Sequence, residues 1–313
     1  MRTAYAPRAA LAACLALIAV PTAAFAQQTP DIRPYIEVRA PLSVTLAPDG
    51  DLYFIDSPRG VRQLFRTPPG GQPAALTDLP DGVSSYALSP NGEWIVLSAS
   101  IGGSEQDDLF LLDADTGAST TLFSDPRVVY RFHFWLHDNS GFVYSANEAS
   151  PNDFHVHRYD LASRAATTLL AKEGSWAGAD VSPDGARYLV ERFISAGESF
   201  VYELDPATGA LRDLSVRDAD EPTFTSAVGY LPGGREALLI TDAGTGTRRL
   251  VARDLSTGAL REPIPSIDHD LDGGVGEMDA GAGVAGLGRS GKPQRFRHFD
   301  DILPFAALFV GPD

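Results

Sequence analysis

Ser182-Pro183-Asp184-Gly185 is followed by Arg187-Tyr188-Leu189-Val190-Glu191-Arg192-Phe193, by Ser199-Phe200-Val201-Tyr202-Glu203-Leu204, and by Asp205-Pro206-Ala207-Thr208-Gly209. The reading of this stretch decides the fold. Proline presets φ, Asp hydrogen-bonds back to its own chain, and glycine accepts positive φ, so the two Gly-ended strings are turns. The runs between them are short, β-branched and aromatic, which predicts strands. Ala177 to Ser182 leads in and Ala210-Leu211-Arg212-Asp213-Leu214 closes the unit, giving four strands in about 45 residues.

Both turns recur. The first is Ala47-Pro48-Asp49-Gly50 and Ser89-Pro90-Asn91-Gly92, with weaker copies at His137-Asp138-Asn139-Ser140-Gly141 and Leu231-Pro232-Gly233-Gly234. Placing the repeat glycines at 50, 92, 141, 185 and 234 gives intervals of 42, 49, 44 and 49. The second turn keeps phase as Asp113-Ala114-Asp115-Thr116-Gly117 and Asp254-Leu255-Ser256-Thr257-Gly258, with a degenerate Asp160-Leu161-Ala162-Ser163-Arg164. Four short strands per repeat, without an amphipathic stretch long enough for a helix, predict an all-β propeller. A lone four-stranded sheet cannot bury both faces, whereas blades side by side bury each other's. Five repeats span residues 42–263, and the 287 residues after Ala26 allow about six blades. Residues 264–313, glycine-rich from Gly273 to Gly291, read as an irregular final blade or an incomplete ring. Tyr35-Ile36-Glu37-Val38, within the N-terminal segment 27–41, is a candidate ring-closing strand.

The N-terminus has the layout of a signal peptide over residues 1–26. Arg2 and Arg8 precede an apolar run from Ala9 to Val20, and Ala24-Phe25-Ala26 offers a small-x-small cleavage site. That run is too short for a membrane span of about 20 residues. Leu11-Ala12-Ala13-Cys14 is a competing lipoprotein box, but only Ala9 and Ala10 separate it from the charged region. A periplasmic or secreted protein without a membrane span is expected. Cys14 is the only cysteine, so after cleavage no disulfide can form. The whole chain carries a net charge of −16; loss of the two arginines leaves 23 basic against 41 acidic residues, or −18. Such a surface repels phosphate backbones, which excludes nucleic acid as a partner class.

On these turns, on Gly102 to Asp113 and on Leu250 to Gly258, the sequence resembles the N-terminal propeller of the prolyl oligopeptidase family of serine peptidases, in its dipeptidyl and acylaminoacyl branches. The likeness covers about residues 42–263. The periplasmic propeller of the Tol system carries similar turns. The peptidase resemblance implies a substrate-gating propeller over an α/β-hydrolase domain that holds the Ser, Asp and His. No family catalytic residue maps onto this chain. The expectation is therefore a non-catalytic exported propeller, a truncated or split peptidase, that takes a peptide or protein ligand or a separate hydrolase domain. The alternative is a free-standing envelope scaffold.

Other motifs give little chemistry. No Gly-x-Ser-x-Gly elbow is present, and Gly288-Arg289-Ser290-Gly291 has the wrong spacing. Gly281 to Gly286 matches a dinucleotide string without its strand and helix, and Pro293 spoils the near P-loop from Gly286 to Lys292. Asp268, Asp270 and Asp272, with Gly273 and a twelfth-position Asp279, match a calcium loop except for the missing Glu, and make calcium the one candidate cofactor. His155 and His157 alternate on a strand and so share a face, but no third zinc ligand is visible. Tyr130-Arg131-Phe132-His133-Phe134-Trp135 reads as inter-blade packing rather than a ligand platform.

Overall fold

The computed structural model describes residues 41–219, 221–265, 270–279 and 282–289, all within one unit, Arg39–Asp313. The signal segment and the Tyr35–Val38 strand lie outside the described residues. Every regular element among them is a strand, and no helix is long and apolar enough to cross a membrane.

The five repeats are five antiparallel four-stranded units. Blade 1 is β1 (Leu42–Leu46), β2 (Leu52–Asp56), β3 (Gln63–Thr67) and β4 (Ala74–Ala75). Blade 2 is β5 (Ser85–Leu88), β6 (Trp94–Ala99), β7 (Asp108–Asp113) and β8 (Ser119–Phe123). Blade 3 is β9 (Tyr130–Trp135), β10 (Gly141–Ser150), β11 (Asp153–Asp160) and β12 (Ala165–Leu170), and blade 4 is β13 (Ser175–Val181), β14 (Tyr188–Ser195), β15 (Glu198–Asp205) and β16 (Ala210–Asp213). Blade 5 is β17 (Thr225–Tyr230), β18 (Glu236–Thr241), β19 (Arg249–Asp254) and β20 (Leu260–Arg261). A hairpin, β21 (Leu271–Asp279) and β22 (Ala282–Arg289), follows.

The core is a set of seams between successive blades, and period-two alternation builds it. In β6, Ile95 and Leu97 pack toward blade 1, while Val96 packs toward blade 3. In β14, Tyr188 and Val190 enter the blade 3 seam and Leu189 the blade 5 seam. In β18, Ala237 and Leu239 face blade 4, and Leu238 and Ile240 face Leu271 of β21. The second strands of blades 2 to 5 are thus buried on both faces, and each fully buried Leu or Ile contributes about 1.5–3 kcal/mol.

The aromatic run of β9 is seam packing, as the sequence suggests. Tyr130 and Trp135 are buried against blade 2, and the Trp135 indole N–H donates to the Ala87 carbonyl at 3.0 Å.

The turns show why the repeat has its spelling. Asp113 Oδ1 accepts the Thr116 amide and hydroxyl, both at 2.8 Å, and Gly117 follows at φ 69°. Asp254 does the same with Thr257, and in the degenerate copy Asp160 takes Ser163 while Arg164 occupies the left-handed position at φ 53°. In the first turn, Ser182 Oγ donates to Asp184 Oδ1 at 2.6 Å and accepts the Arg187 amide at 2.9 Å.

One alignment is corrected. The repeat glycine of blade 3 is not Gly141. Asn139 holds that place, at φ 57°, and its amide donates to the Leu136 carbonyl as the Gly92 amide does to Ser89. Asn tolerates the left-handed region because its short amide can bond locally. Gly141 instead begins β10, paired with Asp160. A second difference lies in blade 1. The first turn closes over five residues in blades 2 to 5, as from Ser89 to Trp94, but over four in blade 1, from Ala47 to Asp51. The missing residue shifts the count from the repeat glycine by one: Tyr53 and Ile55, three and five residues after Gly50, face blade 2, whereas Ile95 and Leu97, three and five after Gly92, face blade 1.

Candidate functional site

In every blade but the second, the pairing of the first strand with the second is irregular. Register shifts interrupt β1–β2, β9–β10, β13–β14 and β17–β18, and such bulges re-aim side chains. Between β5 and β9 lies a cavity of about 250 Å³, lined among others by Ser85, Tyr86, Ser98, Asp107, Tyr130 and Phe132. Burial raises the phenols of Tyr86 and Tyr130 above the ordinary tyrosine value, so both remain neutral donors. The Tyr86 hydroxyl is already engaged by the Tyr53 carbonyl of blade 1, at 2.7 Å, and the Asp107 carboxylate accepts Ser84 Oγ at 2.7 Å.

Blades 4 and 5 are tied by carboxylates that accept backbone donors of β17. Asp180 Oδ2 takes the Tyr230 amide at 2.7 Å, and Glu191 takes the Ala227 amide at 2.6 Å and Ser226 Oγ at 2.7 Å. Desolvation raises the Glu191 carboxyl above its usual value, against the pull of those two hydrogen bonds. Asp180 also faces His137 Nε2 at 3.4 Å, and that hydrogen bond raises the imidazole.

Two hydroxyl–imidazole contacts have the composition of a nucleophile and base: His133 with Ser145 at 2.9 Å, and His157 with Thr168 at 3.2 Å. Neither can act as a nucleophile–base pair. Ser145 is 0% exposed. Burial pushes both imidazoles down to about 4, with Arg131 adding to the effect at His133 and His155 at His157. A base must be poised near the working pH and within reach of substrate. Both contacts are structural.

His155 and His157 share a face as expected, with ring centroids 6.5 Å apart, and His157 is buried against Tyr144. Among the described residues no group of three His, Cys, Asp or Glu side chains could hold a metal ion. Of the expected calcium ligands, Asp268 lies outside the described residues. Asp270 Oδ1 accepts the Arg248 amide at 2.8 Å. Asp272 and Asp279 fall toward opposite ends of β21, where seven residues of extended chain span roughly 23 Å. The Gly281–Gly286 and Gly288–Gly291 strings fall largely on β22, while the string to Lys292 runs on outside the described residues.

Polar side chains cross-link the blades at the turn end. Arg66 bridges Asp51 in its own blade and Asp115 of blade 2, the latter at 2.9 Å, and the Asn91 amide donates to Asn139 Oδ1 at 2.9 Å. Arg212 pairs with Glu203 at 2.6 Å and Arg261 with Glu236 at 2.7 Å. The opposite end carries the tips of the β2–β3, β6–β7, β14–β15 and β18–β19 connections, and Arg248 joins the last two by donating to the Ala196 carbonyl at 2.8 Å. Apolar side chains stand out there: Val61, Ile101, and adjacent Phe193 and Ile194, the last two 54% and 45% exposed. Sequence reading places Phe193 in a strand without marking it as surface. The available sign is the unbroken apolar pair just before Ser195-Ala196-Gly197.

No family model and no curated protein matches this sequence. Solved structures do match. A prolyl endopeptidase, from a study of two such enzymes and their inter-domain dynamics, aligns at TM-score 0.59 and 16% identity, covering 74% of this chain and 37% of that one. A putative TolB from Agrobacterium tumefaciens aligns at TM-score 0.51 and 19% identity, over 71% of this chain and 80% of that one. TolB from Acinetobacter baumannii aligns at TM-score 0.45 and 19% identity, over 72% and 56%. The chain spans little more than a third of the endopeptidase, in its propeller part. With its repeated four-stranded units, the chain is an all-β protein of the propeller fold that these structures share.

Proposed function

We propose that this chain is an exported, non-catalytic propeller that docks a protein partner, working as the gating part of a peptidase whose catalytic Ser, Asp and His lie outside these residues. The observation that carries the reading is the adjacent exposed pair Phe193 and Ile194 before the β14–β15 tip, at the end where Val61 and Ile101 are exposed too. Single exposed apolar residues are ordinary, but an adjacent aromatic–aliphatic pair on a hairpin tip has the chemistry of an interface anchor. The burial of Ser145 and His157 and the lowered imidazoles of His133 and His157 support binding rather than turnover. Export rests on the arrangement of residues 1–26.

The test has two parts. Purified chain is given a proline-containing chromogenic dipeptide, and no turnover is expected; hydrolysis abolished by a serine-directed inhibitor would overturn the reading. A reading frame adjacent on the chromosome that encodes Gly-x-Ser-x-Gly supplies the partner to mix in. Restored turnover, weakened by Phe193→Asp with Ile194→Asp, is the expected result. The second reading, a free-standing protein-binding scaffold, is favoured by the fuller coverage of the Agrobacterium structure, 80% against 37%. It prevails if no such frame exists and the tip variant loses a non-enzymatic envelope partner instead.

A further inference from the structure

Arg192 is the exception among the half-buried arginines described. Arg66 and Arg158 donate to carboxylates, and Arg248, Arg249 and Arg253 donate to backbone carbonyls. Arg192 makes no hydrogen bond or ion pair among the described residues, and its Nε is buried without an acceptor. Its guanidinium carbon lies 5.8 Å from the centre of the Trp176 ring. Arg131 likewise has no acceptor among the described residues. Its guanidinium rests on Phe154, 3.9 Å from the ring centre, and desolvation lowers it from the ordinary arginine value with no carboxylate to oppose the effect. In a chain with 41 acidic residues against 25 basic ones, a shortage of acids does not explain two such arginines.

Both side chains stand at the same end of one seam. On β11, Phe154 comes two residues before Val156, and on β14, Arg192 comes two after Val190 and pairs with Trp176 of β13. Val156, Val190 and Trp176 belong to the core between blades 3 and 4, so alternation turns Phe154 and Arg192 toward that core as well. One backbone bond joins the two aromatic supports. The Phe154 amide donates to the Gly174 carbonyl at 2.9 Å, and a Cβ at Gly174 would lie 3.4 Å from Arg192 Nε. Asp153 is adjacent, but its Oδ1 already takes the Gly174 amide at 2.7 Å. Ile194, 45% exposed, stands two residues beyond Arg192. A guanidinium laid on a ring face keeps its N–H edge for a planar acceptor.

We infer that this end of the seam between blades 3 and 4 is an oxyanion site, at which Arg192 and Arg131 hold a carboxylate of the peptide segment that docks on Phe193 and Ile194. The inference rests on reading that tip as the docking face, and it adds the partner's chemistry: an acidic group beside an apolar side chain. A carboxylate accepts two parallel N–H bonds from one guanidinium. At Arg192 it meets a donor group that burial has stripped of water. The chain as a whole is acidic and offers no general attraction for acids, so the recognition is local to these two cations.

Calorimetry with short synthetic peptides tests this on the full-length chain. Acetyl-Leu-Glu-Leu-amide should bind at least about ten-fold more tightly than acetyl-Leu-Gln-Leu-amide. Arg192→Gln and Arg131→Gln should each abolish that preference, and Arg62→Gln, at an exposed arginine of blade 1, should keep it. The Nε–H resonance of Arg192 should shift when the glutamate peptide is added to wild type, which decides the matter should Arg192→Gln fail to fold. Acetyl-Leu-Leu with a free C-terminus separates a chain-end carboxylate from a side-chain one, the tighter of the two acidic peptides naming the source. Equal affinity for the Glu and Gln peptides, with no better binding of acetyl-Leu-Leu, overturns the oxyanion site. Equal affinity for acetyl-Leu-Glu-Leu-amide and acetyl-Gly-Glu-Gly-amide overturns the docking face alone and spares the site. Inorganic phosphate binding more tightly than either acidic peptide overturns the peptide assignment in favour of a free anion.

Discussion

Gly141→Ala tests the reassigned turn of blade 3. If Gly141 were the left-handed glycine of an open turn, an added methyl would cost only the left-handed penalty, about 1–2 kcal/mol. In the structure it starts β10 opposite Asp160, its φ is not positive, and a Cβ would collide with the Tyr159 carbonyl, lying 3.0 Å from its carbon and 3.2 Å from Asp160 Cα. Both obstacles are backbone of the paired strand β11, so neither can rotate away. Relief requires opening the β10–β11 ladder above the seam that holds Phe142 and Tyr159. Overpacking costs 1–3 kcal/mol where side chains yield, so a backbone collision should cost about 3 kcal/mol or more, a fall of roughly 6–12 °C in the melting midpoint of a domain this size. Gly185→Ala is the control: φ is 72° and nothing lies within 4 Å of the added carbon, leaving only the left-handed penalty. Asn139→Gly completes the set. It relieves backbone strain and loses the hydrogen bond from the Asn91 amide, two effects of about 1 kcal/mol each and opposite sign. Urea and thermal unfolding, followed by tryptophan fluorescence, give the ranking. If Gly141→Ala is no worse than Gly185→Ala, the reassignment fails.

Acid should destabilise the protein through its buried histidines. His157 has a folded value near 4, below its ordinary 6.5, so its stabilisation is present above that unfolded value and is lost as pH falls through 4, at up to about 1.4 kcal/mol per pH unit for one proton; His157→Phe should flatten the acid limb of a stability–pH curve. Glu191 runs the other way. Its raised folded value means that wild type loses stability relative to Glu191→Gln as pH climbs past the ordinary carboxylate range, which unfolding at successive pH values would show or refute. Arg66→Met should cost about 3 kcal/mol because it strands the buried Asp51 carboxylate, whereas Asp115→Ala, at the exposed end of the same bridge, should cost under about 1 kcal/mol; equal losses in denaturant titration would contradict this. Calcium titrated calorimetrically should give no heat that depends on Asp279.

The period, the four-strand unit and the aromatic packing of β9 were all readable from the chain. Turn chemistry is local: Asp113, Asp205 and Asp254 bond to amides two or three residues ahead, so their spelling survives in the sequence whatever the rest of the fold does. The candidate site was barely readable. Asp180 and Glu191 meet β17 across 36 to 50 residues, and nothing near either residue announces that distant partner.

What the sequence determined by itself is therefore the repeat and its hairpins, because each depends on a few neighbouring residues. Only the tertiary structure decided which side chains belong to which seam. A turn one residue shorter at Asp51 shifts the count from the repeat glycine, so that Tyr53 and Ile55 face the following blade where Ile95 and Leu97 face the preceding one, and Asn139 does a glycine's work where Gly141 looked the better match. Face assignment depends on register, and register is settled by packing against strands that arrive later in the chain.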